Sequence, residues 1–570
     1  MSRIRIKIAG ESGAGLLSAG EIVTRALKNM GYFVVADREY PSLIKAVCGS
    51  CFRINASTEE IFSLDEEIDI MLTINRSSMY EYFDDLKKDS VWVHGYERLS
   101  GIDDLLKKAK KRGVKEVHSY AREIAFANGG GVLMLNMVLI GMLWKAMGFE
   151  YKYIAAEVKE QFKSKPLLLA IDLKCLKAGY DSAETQMQFA KPKKKTKTIL
   201  LNGNKALALG GIHAGVRAYF AYPMSPSSSI LTYFANYAKE TGCVVKQAED
   251  EITVANMTLG AMHMGTRALA ATSGGGFDLM TETVSLAGII ETPLVLIVVQ
   301  RPGPGTGLPT WTAQGDLNLS IFSSHGEFPK VVIGVSNPTD CFDLIQHALN
   351  IAEKYQCVVI VLSEKVIAES NCTVPPFKQN KIPIERGLVT GDALKKLKNS
   401  DRFKITKNGI SKRWLPGTSK AYYFANGDEH WEDGSLTEDA KESEEMYAKR
   451  IRKIETISKA LPEPEIIGPK KAKTSFVGWG NSKNVMLDIV QKHKDVNYLH
   501  FSYVWPLREK TLKKFFKNNK NVNLIEANAT GQFGNLVEAA VHQKFNKRLL
   551  KYNGRPFFTE DVENFIKKNK

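Results

Sequence analysis

The sequence predicts an α/β protein of three parallel-sheet domains with an irregular acidic segment between the second and the third. Its 570 residues suffice for about four domains at roughly 150 residues each, and apolar β-branched runs alternate with amphipathic helical patterns. The composition, 44% hydrophobic and 25% charged residues, is that of an ordinary globular protein. Collagen-like, low-complexity and wholly disordered chains are therefore excluded.

The first domain extends to about residue 190 and begins with a β-loop-α-β pattern. An alternating run over residues 3–9 predicts a strand, residues 16–30 predict an amphipathic helix, and residues 32–36 predict a second strand. The long apolar stretch 132–148 contains Asn136 and Lys145 and is shorter than the roughly 20 residues that span a bilayer. It therefore predicts a buried helix.

A lysine-rich linker, residues 191–197, separates the first domain from the second, residues 198–375. The linker has no interleaved aromatic residue, so a solvated linker is favoured over a nucleic-acid-binding tail. Apolar strands are predicted around Ala270, Val298 and Ile360. An irregular segment, residues 376–468, follows and has nine acidic side chains and one Lys between residues 425 and 446. Residues 469–570 return to alternating strands and helices and predict the third domain.

The net charge and the cysteine content indicate which binding partners and which cellular compartment to expect. The chain has 78 Lys and Arg against 62 Asp and Glu, a formal charge of +16. Such an excess favours an acidic protein, a phosphorylated substrate, nucleic acid or a membrane surface, or reflects lysine usage alone. Seven scattered cysteines are too few for a disulfide framework, and from the basic residues alternating with isoleucines at the N-terminus we expect no secretion signal. We expect a cytoplasmic protein that contacts neither membrane nor nucleic acid.

Two motifs in the first domain give weak signals. Gly10, Gly13 and Gly15 form a turn where backbone amides can approach a phosphate, but the GxxGxG spacing differs from the dinucleotide fingerprint and fits a plain tight turn equally well. Cys48 and Cys51 form a C-x-x-C pair without a second pair at zinc spacing, so unligated thiols are favoured over a metal or redox site. The four-thiolate run of an iron–sulfur protein is missing. Any cluster must therefore lie on a partner.

Polar turns follow three apolar strands of the second domain. Because the carboxyl ends of neighbouring parallel strands line the crevice of an open α/β sheet, these turns predict a ligand site. A helix N-cap and a carboxylate paired with a helix dipole are the structural alternatives for single motifs. The turns and the acidic run between them are Tyr222-Pro-Met-Ser225, Glu249-Asp250-Glu251, Thr272-Ser-Gly-Gly-Gly276 and Arg301-Pro-Gly-Pro-Gly-Thr306-Gly-Leu-Pro-Thr310.

These motifs resemble successive stretches of one enzyme family. The run YPMSPSSS is similar to the Tyr-Pro-Ile-Thr-Pro motif of the α subunits of 2-oxoacid:ferredoxin oxidoreductases, which are thiamine-diphosphate enzymes. The resemblance covers residues 198–570, and the first 190 residues look like the family's γ domain fused in front. The acidic segment points to the 2-oxoglutarate-type branch. Further runs that carry the resemblance are AEDEITVANMTLGA, ATSGGGFDLMTE, ETPLVLIVVQRPGPGTGLPT, SSHGEFPKVV, GISKRWLPG, NGDEHWEDGSLTED and NGRPF.

The resemblance implies a domain assignment and a reaction. Residues 1–190 would be the γ domain, 198–375 the thiamine-diphosphate pyrimidine-binding domain, and 469–570 a transketolase C-terminal-like domain. The chain would be the α subunit of an enzyme that oxidatively decarboxylates a 2-oxoacid, 2-oxoglutarate in preference to pyruvate, to acyl-coenzyme A and CO₂. Electrons would pass through a β subunit to ferredoxin. The preferred 2-oxoacid, the physiological acceptor and the choice between αβ and (αβ)₂ stay open.

The resemblance also implies site residues. Glu249 is expected to be the catalytic residue, sharing a proton with N1′ of the cofactor's aminopyrimidine, with a pKa that burial raises. Arg301 is expected to pair with a substrate carboxylate at the mouth of the site. Ser225 stands where the family has Thr, and its hydroxyl is expected to contact substrate or cofactor. Thr306 and Thr310 are expected next to Arg301. The expected cofactor contacts are Tyr222, Pro223, Glu249, Thr272, Ser273 and Gly274.

A partner is expected to supply the rest of the site. The family's Gly-Asp-Gly motif, followed further on by Asn, is missing, because the candidates at Gly315, Gly391 and Gly427 fail at the third position. The resemblance therefore implies that the cofactor diphosphate, Mg²⁺ and an iron–sulfur cluster lie on a β subunit, with no metal on this chain and coenzyme A as co-substrate. Two alternatives remain, an NAD(P)-linked oxidoreductase that uses the first glycine turn, and a non-catalytic scaffold or nucleic-acid-binding subunit.

Overall fold

The computed structural model describes residues 3–11, 15–42, 49–379 and 381–569. Gly13 and Cys48, which the sequence singled out, lie outside the described residues. The strands are β1 (Arg3–Gly10), β2 (Phe33–Glu39), β3 (Ser50–Ser57), β4 (Ile68–Thr73), β5 (Leu86–His94), β6 (Lys115–His118), β7 (Ile199–Leu201), β8 (Ala218–Ala221), β9 (Val244–Gln247), β10 (Ala268–Thr272), β11 (Leu294–Gln300), β12 (Lys330–Gly334), β13 (Val358–Glu364), β14 (Asn371–Val374), β15 (Glu465–Ile467), β16 (Thr474–Trp479), β17 (Val496–Phe501), β18 (Tyr503–Trp505), β19 (Val522–Glu526) and β20 (Arg548–Leu550).

The α-helices alternate with these strands over most of the chain. They are α1 (Leu16–Met30), α2 (Arg76–Tyr82), α3 (Asp103–Arg112), α4 (Ala121–Ala127), α5 (Leu135–Ala146), α6 (Tyr151–Phe162), α7 (Pro166–Asp181), α8 (Gly203–His213), α9 (Ser228–Asn236), α10 (Ala238–Thr241), α11 (Glu251–His263), α12 (Gly274–Ile289), α13 (Leu317–Phe322), α14 (Pro338–Tyr355), α15 (Lys365–Glu369), α16 (Ala440–Ala460), α17 (Ser482–Lys492), α18 (Glu509–Asn518), α19 (Gln532–Val541) and α20 (Thr559–Lys568).

The chain folds into two compact units. The first comprises Met1–Leu201, Ser370–Pro376 and Phe557–Lys570, and the second comprises Asn202–Glu369 and Phe377–Pro556. The first unit contains an eight-stranded sheet of order β6-β5-β4-β1-β3-β2-β14-β7, in which β1, β4, β5 and β6 are parallel neighbours. The predicted α/β class is thus confirmed for this part of the chain.

The two faces of β1 differ as its alternating sequence predicts. The three isoleucines of β1 are fully buried in the core of the first unit. On the other face, Arg5 Nη2 donates to Asp69 Oδ1 at 2.6 Å, and buried Lys7 pairs with Asp85. A period of two residues therefore separates an apolar layer from a layer of ion pairs.

The apolar stretch that predicted a buried helix forms α5. Gly141 lets α5 approach α7 closely, because a Cβ at this position would lie 2.3 Å from the Leu176 carbonyl oxygen. Among the described residues, no single helix meets the length and hydropathy that a membrane crossing needs. One pair, Ala121–Ala127 with Val132–Ala146, meets that requirement jointly but bends by 119°.

The second unit contains two sheets that share a hydrophobic core. The central sheet has the order β18-β12-β13-β11-β10-β8-β9 and is parallel apart from β18, and the smaller sheet has the order β15-β17-β16-β19-β20. All seven residues of β11 are buried, as expected for a central strand covered on both faces. Val332 of the central sheet and Trp479 of the smaller sheet belong to one core.

Several boundaries differ from the predicted domains. β7 and β14, predicted in the second domain, pair with each other and extend the first sheet beyond β2, and α20 joins the same unit. β18, predicted in the third domain, pairs with β12 of the central sheet. A short strand can pair with any sheet edge that has unpaired backbone groups. The local sequence pattern does not predict which edge that is.

The predicted irregular segment is irregular over its first two thirds. The described residues between 377 and 439 form only two short 3-10 turns and an isolated bridge. α16 and β15 then follow within the predicted limits of the segment. Lys449 and Lys453 of α16 pair with buried Glu291 at the end of α12, which fastens the segment to the central sheet's helical layer.

Candidate active site

Four polar turns meet at one edge of the central sheet. β11, β10, β8 and β9 are consecutive neighbours in this sheet and run parallel. Their carboxyl ends therefore lie on the same side, and the predicted convergence of the polar turns is confirmed. Such an edge is where ligands bind in open α/β sheets.

Arg301, at the end of β11, reaches the turn after β8. Its Nη1 donates to the carbonyl oxygen of Ser225 at 2.6 Å. Burial lowers the pKa of the Arg301 guanidinium and Asp316 opposes that shift, so the side chain is half-buried with a carboxylate nearby. The structure thus brings together two of the predicted substrate-binding residues.

The acidic run after β9 has a different geometry from the predicted one. α11 begins at Glu251, and Asp250 is its N-cap, accepting from the amide of Thr253 at 2.8 Å. Glu249 precedes the cap and is exposed, accepting a 3.3 Å hydrogen bond from Thr253 Oγ1. The expected burial of Glu249 is therefore wrong, because the cap at Asp250 turns the following residue, not the preceding one, toward the sheet.

Glu251 is the buried carboxylate of this run. It is 3% exposed, and its Oε1 has no hydrogen-bond partner among the described residues. Burial raises the pKa of Glu251, and the charge of Asp250 adds to the shift. A carboxyl group in this environment favours its protonated form and accepts a new hydrogen-bond partner readily.

Gly276 allows the first turn of α12 to pack closely against Glu251 and Thr272. A Cβ on Gly276 would lie 2.5 Å from Glu251 Oε1 and 2.1 Å from Thr272 Oγ1. Thr272, the last residue of β10, is fully buried, and its hydroxyl lies 3.7 Å from Met224 Sδ. The predicted cofactor contact Thr272 therefore lies with Glu251, against the first turn of α12.

Two further polar groups without partners lie at this same helix terminus. Ser273 is the N-cap residue of α12 but makes no capping hydrogen bond, and its buried hydroxyl has no partner within the described part of the chain. Asp316 lies against Gly274, where a Cβ would be 2.7 Å from Asp316 Oδ1. Asp316 Oδ2 is also buried without a described partner.

Sequence reasoning did not identify Asp316 as a site residue. It noticed the Gly315-Asp316 pair only as a failed metal motif. Burial raises the pKa of Asp316 to about 6, with Asp278 adding to the shift and Arg301 opposing it. A polar residue just before a short apolar helix that follows β11 was the available signal, since such a residue lies at the carboxyl edge of the sheet.

The remaining predicted residues lie around this edge with different exposures. Tyr222 is 39% exposed, and Pro223 and Thr306 are exposed on their turns. Thr310 is buried. No hydrogen bond or ion pair between Arg301 and Thr306 is found in the described structure. The roles expected for these residues stay predictions.

Cysteine and metal chemistry have little support in the described residues. Cys51 is fully buried, and burial raises the pKa of its thiol to about 12. A thiol in this state is a poor nucleophile and metal ligand. Within the described ranges, no group of three or more His, Cys, Asp or Glu side chains is arranged to hold a metal ion.

Two protein-family models match the chain. The model described as "Pyruvate flavodoxin/ferredoxin oxidoreductase, thiamine diP-bdg" matches residues 210–449, which include the whole crevice. The model described as "Pyruvate ferredoxin/flavodoxin oxidoreductase" matches residues 5–182.

Known proteins match over nearly the full length. The chain is 32% identical to "2-oxoacid:ferredoxin oxidoreductase 1, subunit alpha" of Sulfurisphaera tokodaii, over 98% of this chain and 97% of that protein. It is 26% identical to "2-oxoglutarate oxidoreductase subunit KorA" of Mycobacterium tuberculosis, over 89% and 82%. A solved 2-oxoglutarate:ferredoxin oxidoreductase from Magnetococcus marinus superimposes with a TM-score of 0.91 at 28% identity, over 100% of this chain and 99% of that one.

Proposed function

Because the chain belongs to the family of 2-oxoacid:ferredoxin oxidoreductase α subunits, we propose that it acts in the oxidative decarboxylation of a 2-oxoacid to acyl-coenzyme A and CO₂. The members of this family are thiamine-diphosphate-dependent oxidoreductases. The observation that carries the proposal for this chain is the buried carboxylate of Glu251 at the carboxyl edge of the central sheet, whose Oε1 has no hydrogen-bond partner among the described residues.

The crevice fits the aminopyrimidine of thiamine diphosphate. A buried oxygen without a partner is costly, and a ring nitrogen that shares a proton with Glu251 would satisfy it. Only glycine fits at position 276, since a Cβ would collide with Glu251 and Thr272 and displace the carboxylate. When bound, thiamine diphosphate supplies the carbon nucleophile that attacks the 2-oxo group.

We assign to Glu251 the role that the sequence predicted for Glu249. Burial raises the pKa of Glu251, which favours a protonated carboxyl group that can share its proton with a ring nitrogen. Glu249 is exposed and bonded to Thr253, which suits a solvated charge instead. The Asp250 carboxylate caps the N-terminus of α11 by accepting a hydrogen bond from the Thr253 amide.

Arg301 would bind the substrate's carboxylate, as the sequence predicted. Its Nη1 is fixed on the Ser225 carbonyl, which holds the guanidinium in one orientation. The rest of its planar donor fork remains to pair with a carboxylate, and partial burial strengthens such a pair. In this arrangement the Ser225 main chain positions Arg301, while the Ser225 hydroxyl, Thr306 and Thr310 remain proposed substrate contacts.

A β subunit would complete the enzyme. We propose that it holds the cofactor diphosphate, Mg²⁺ and an iron–sulfur cluster, and passes electrons to ferredoxin. The absence of a Gly-Asp-Gly motif from this sequence supports the placement of these groups on the β subunit. The names of the relatives, all α subunits or lettered subunits, support a multi-subunit assembly.

2-Oxoglutarate and coenzyme A are the proposed substrates. The Magnetococcus marinus enzyme carries 2-oxoglutarate, coenzyme A and succinyl-CoA in its solved structure and aligns with the full length of this chain. The Mycobacterium tuberculosis relative is also named for 2-oxoglutarate. The broader name of the Sulfurisphaera tokodaii relative makes pyruvate the substrate to compare.

The test is dye reduction by the chain co-expressed with its cognate β subunit. We expect reduction of a viologen that requires the β subunit, coenzyme A and a 2-oxoacid, with 2-oxoglutarate used better than pyruvate. Omission of coenzyme A and the α chain alone serve as controls. No reduction with any 2-oxoacid would favour the scaffold alternative, and reduction that depends on NAD(P) would favour the nicotinamide-linked alternative.

A further inference from the structure

We propose that Arg555 is a positioning residue for substrate binding, because its guanidinium stacks on Trp311 and thereby fixes the turn that begins at Arg301. The inference rests on the proposed function, since it concerns the same substrate crevice. It gives a role to the Asn553-Gly-Arg-Pro-Phe557 run, which the sequence comparison matched to the family without assigning it any.

The first observation is that the turn after β11 is closed on itself. The backbone amide of Leu308 donates to the Pro302 carbonyl at 3.0 Å, and the amide of Trp311 donates to the Leu308 carbonyl at 3.2 Å. Gly307 has a φ of +54°, and a Cβ there would lie 1.9 Å from the Pro302 carbonyl oxygen. Pro302 directly follows Arg301 in the chain. The position of the indole is therefore linked to the arginine by two backbone hydrogen bonds.

The second observation is the turn after β20, which lies against Trp311. The Cζ atom of Arg555 lies 3.2 Å from the centroid of the Trp311 ring. Asn553 Oδ1 accepts a hydrogen bond from the Arg555 amide at 3.1 Å. Gly554 has a φ of +77°, and a Cβ there would lie 3.0 Å from Trp311 Cβ. These three residues of the turn together place the guanidinium on the indole.

The third observation is that main-chain hydrogen bonds fix the segment just after the indole. The amide of Thr312 donates to the Gly554 carbonyl at 3.1 Å, and the amide of Gln314 donates to the Ala527 carbonyl at 2.8 Å. Gln314 Oε1 accepts in return from the Ala527 amide at 2.7 Å. A substitution of the arginine side chain removes none of these bonds. Its effect should therefore be confined to the turn before the indole, which is the part that leads back to Arg301.

The stacked pair should act on substrate affinity and not on the chemical step. A guanidinium on an indole ring is attracted by the ring's quadrupole and also stacks through its own plane. Without this contact, the turn would adopt its binding orientation for only a fraction of the time, and the apparent affinity would fall by that fraction. A substrate that has bound has already selected the correct orientation, so it would react at the ordinary rate. Loss of Arg555 should therefore raise KM and leave kcat nearly unchanged.

The experiment measures kcat and KM of the αβ complex for 2-oxoglutarate by viologen reduction at saturating coenzyme A. In Arg555→Gln we expect KM to rise by about 3- to 30-fold, the range that a cation on an indole ring supports. The change in kcat should stay below about twofold. Arg555→Lys keeps a cation but loses the planar group, so its KM should lie between those of the unaltered complex and Arg555→Gln.

A double-mutant cycle separates this role from a general structural one. Trp311→Leu removes the other partner of the stack, so the double variant Arg555→Gln/Trp311→Leu should have a KM no higher than that of the worse single variant. The KM for coenzyme A should not change in any of the three. Arg548→Gln is the matched control, because Arg548 pairs with Glu538 at 2.8 Å and donates to Asn535 Oδ1 at 2.7 Å, both on α19. Its KM for 2-oxoglutarate should equal that of the unaltered complex.

The outcomes distinguish this inference from the proposed function. An unchanged KM in Arg555→Gln, single effects that multiply in the double variant, or an equal rise in the KM for coenzyme A overturns the inference alone. If Arg555→Gln does not assemble, Arg555→Lys and Trp311→Phe decide, since a rise in KM in each supports the inference and an unchanged KM in either overturns it. An unaltered complex without turnover of any 2-oxoacid overturns the proposed function and the inference with it.

Discussion

Two buried glutamates of the second unit differ in their partners, and the difference indicates that one serves ligand binding and the other serves stability. Glu251, at the start of α11, is buried with one oxygen unpartnered among the described residues. Glu291, just after α12, is equally buried but is paired with the ammonium groups of Lys449 and Lys453. Burial raises the pKa of Glu251. Burial would also raise the pKa of Glu291, but the two lysines hold it well below its ordinary value.

The difference shows that the partners of a buried carboxylate indicate whether it stabilises the fold or binds a ligand. A fully paired carboxylate contributes to the fold and has no capacity left for a ligand. An unpaired one is retained at a cost in stability, which is expected where a ligand completes the hydrogen bonding. Mutations at the two glutamates should therefore act on different properties of the enzyme.

The largest expected effect is on turnover in Glu251→Gln. This change keeps the shape of the side chain and removes the proton that Glu251 would share with the cofactor. We expect 2-oxoacid-dependent dye reduction to fall by about 10²- to 10⁴-fold, the usual range for a general acid–base group. The melting temperature should not decrease, because an unpaired buried carboxyl group is replaced by a neutral amide.

Glu249→Gln is the matched control for that variant. It removes a carboxylate two residues away that is exposed and bonded to Thr253. Turnover close to that of the unaltered complex is expected. A large loss in Glu249→Gln with little loss in Glu251→Gln would restore the assignment that the sequence predicted.

The second prediction concerns stability in Glu291→Gln. It leaves Lys449 and Lys453 buried without their countercharge, which costs about 3–5 kcal/mol when one partner of a buried pair is removed. Urea unfolding of the full chain, followed by circular dichroism, measures the loss. Glu445→Gln, an exposed position on α16, should change the free energy of unfolding by less than about 0.5 kcal/mol.

An unchanged urea midpoint in Glu291→Gln would contradict the comparison, because the pair would then contribute nothing to the fold. A variant that stays folded at low temperature but loses turnover there would also contradict it. In that case the paired glutamate would act in the reaction and not in the attachment of α16.

The sequence predicted the repeating parts of this fold well. The first strand, helix and second strand begin within a few residues of the predicted limits, and the predicted strand around Val298 is β11. These elements follow from local periodicity alone, since alternation or a continuous apolar run decides which faces are buried. The convergence of polar turns also followed, because parallel neighbours end at one edge of a sheet.

The parts that the sequence did not predict depend on the exact residue at which a helix begins or on contacts distant along the chain. The N-cap at Asp250 decides which carboxylate of the acidic run turns inward, and the sequence offered three adjacent acidic residues for that position. Asp316 reaches the crevice through its backbone bond to Gln300. The edge strands β7, β14 and β18 pair with sheets outside the domains predicted to contain their residues. The local hydrophobic periodicity of the sequence does not predict any of these features.

The smallest expected effect comes from a third buried glutamate, Glu364, at the end of β13. Its Oε1 accepts from Gln314 Nε2 and from the Asn481 amide, each at 2.9 Å, so it has neutral partners and no counterion. Burial raises the pKa of Glu364 to about 7, and the hydrogen bonds oppose the shift. The partners of Glu364 therefore compensate its charge more fully than those of Glu251, which has an unpartnered oxygen among the described residues, and less fully than those of Glu291, which has two cations.

The pH dependence of stability should differ in sign between Glu364 and Glu291. The folded chain binds a proton at Glu364 more tightly than the unfolded chain, whose ordinary pKa is 4.5, so this stabilisation is present below pH 4.5 and is lost as pH rises toward 7. Glu364→Gln should therefore gain stability relative to the unaltered chain over that window, by up to about 1.4 kcal/mol per pH unit. For Glu291 the lowered pKa gives the opposite slope, with stabilisation present above pH 4.5 and lost on acidification. Urea unfolding of both variants and the unaltered chain from about pH 3 to about pH 7.5 measures the Glu291 slope below pH 4.5 and the Glu364 slope above it. Slopes of the same sign would show that neutral partners and cationic partners hold a buried glutamate in the same protonation state.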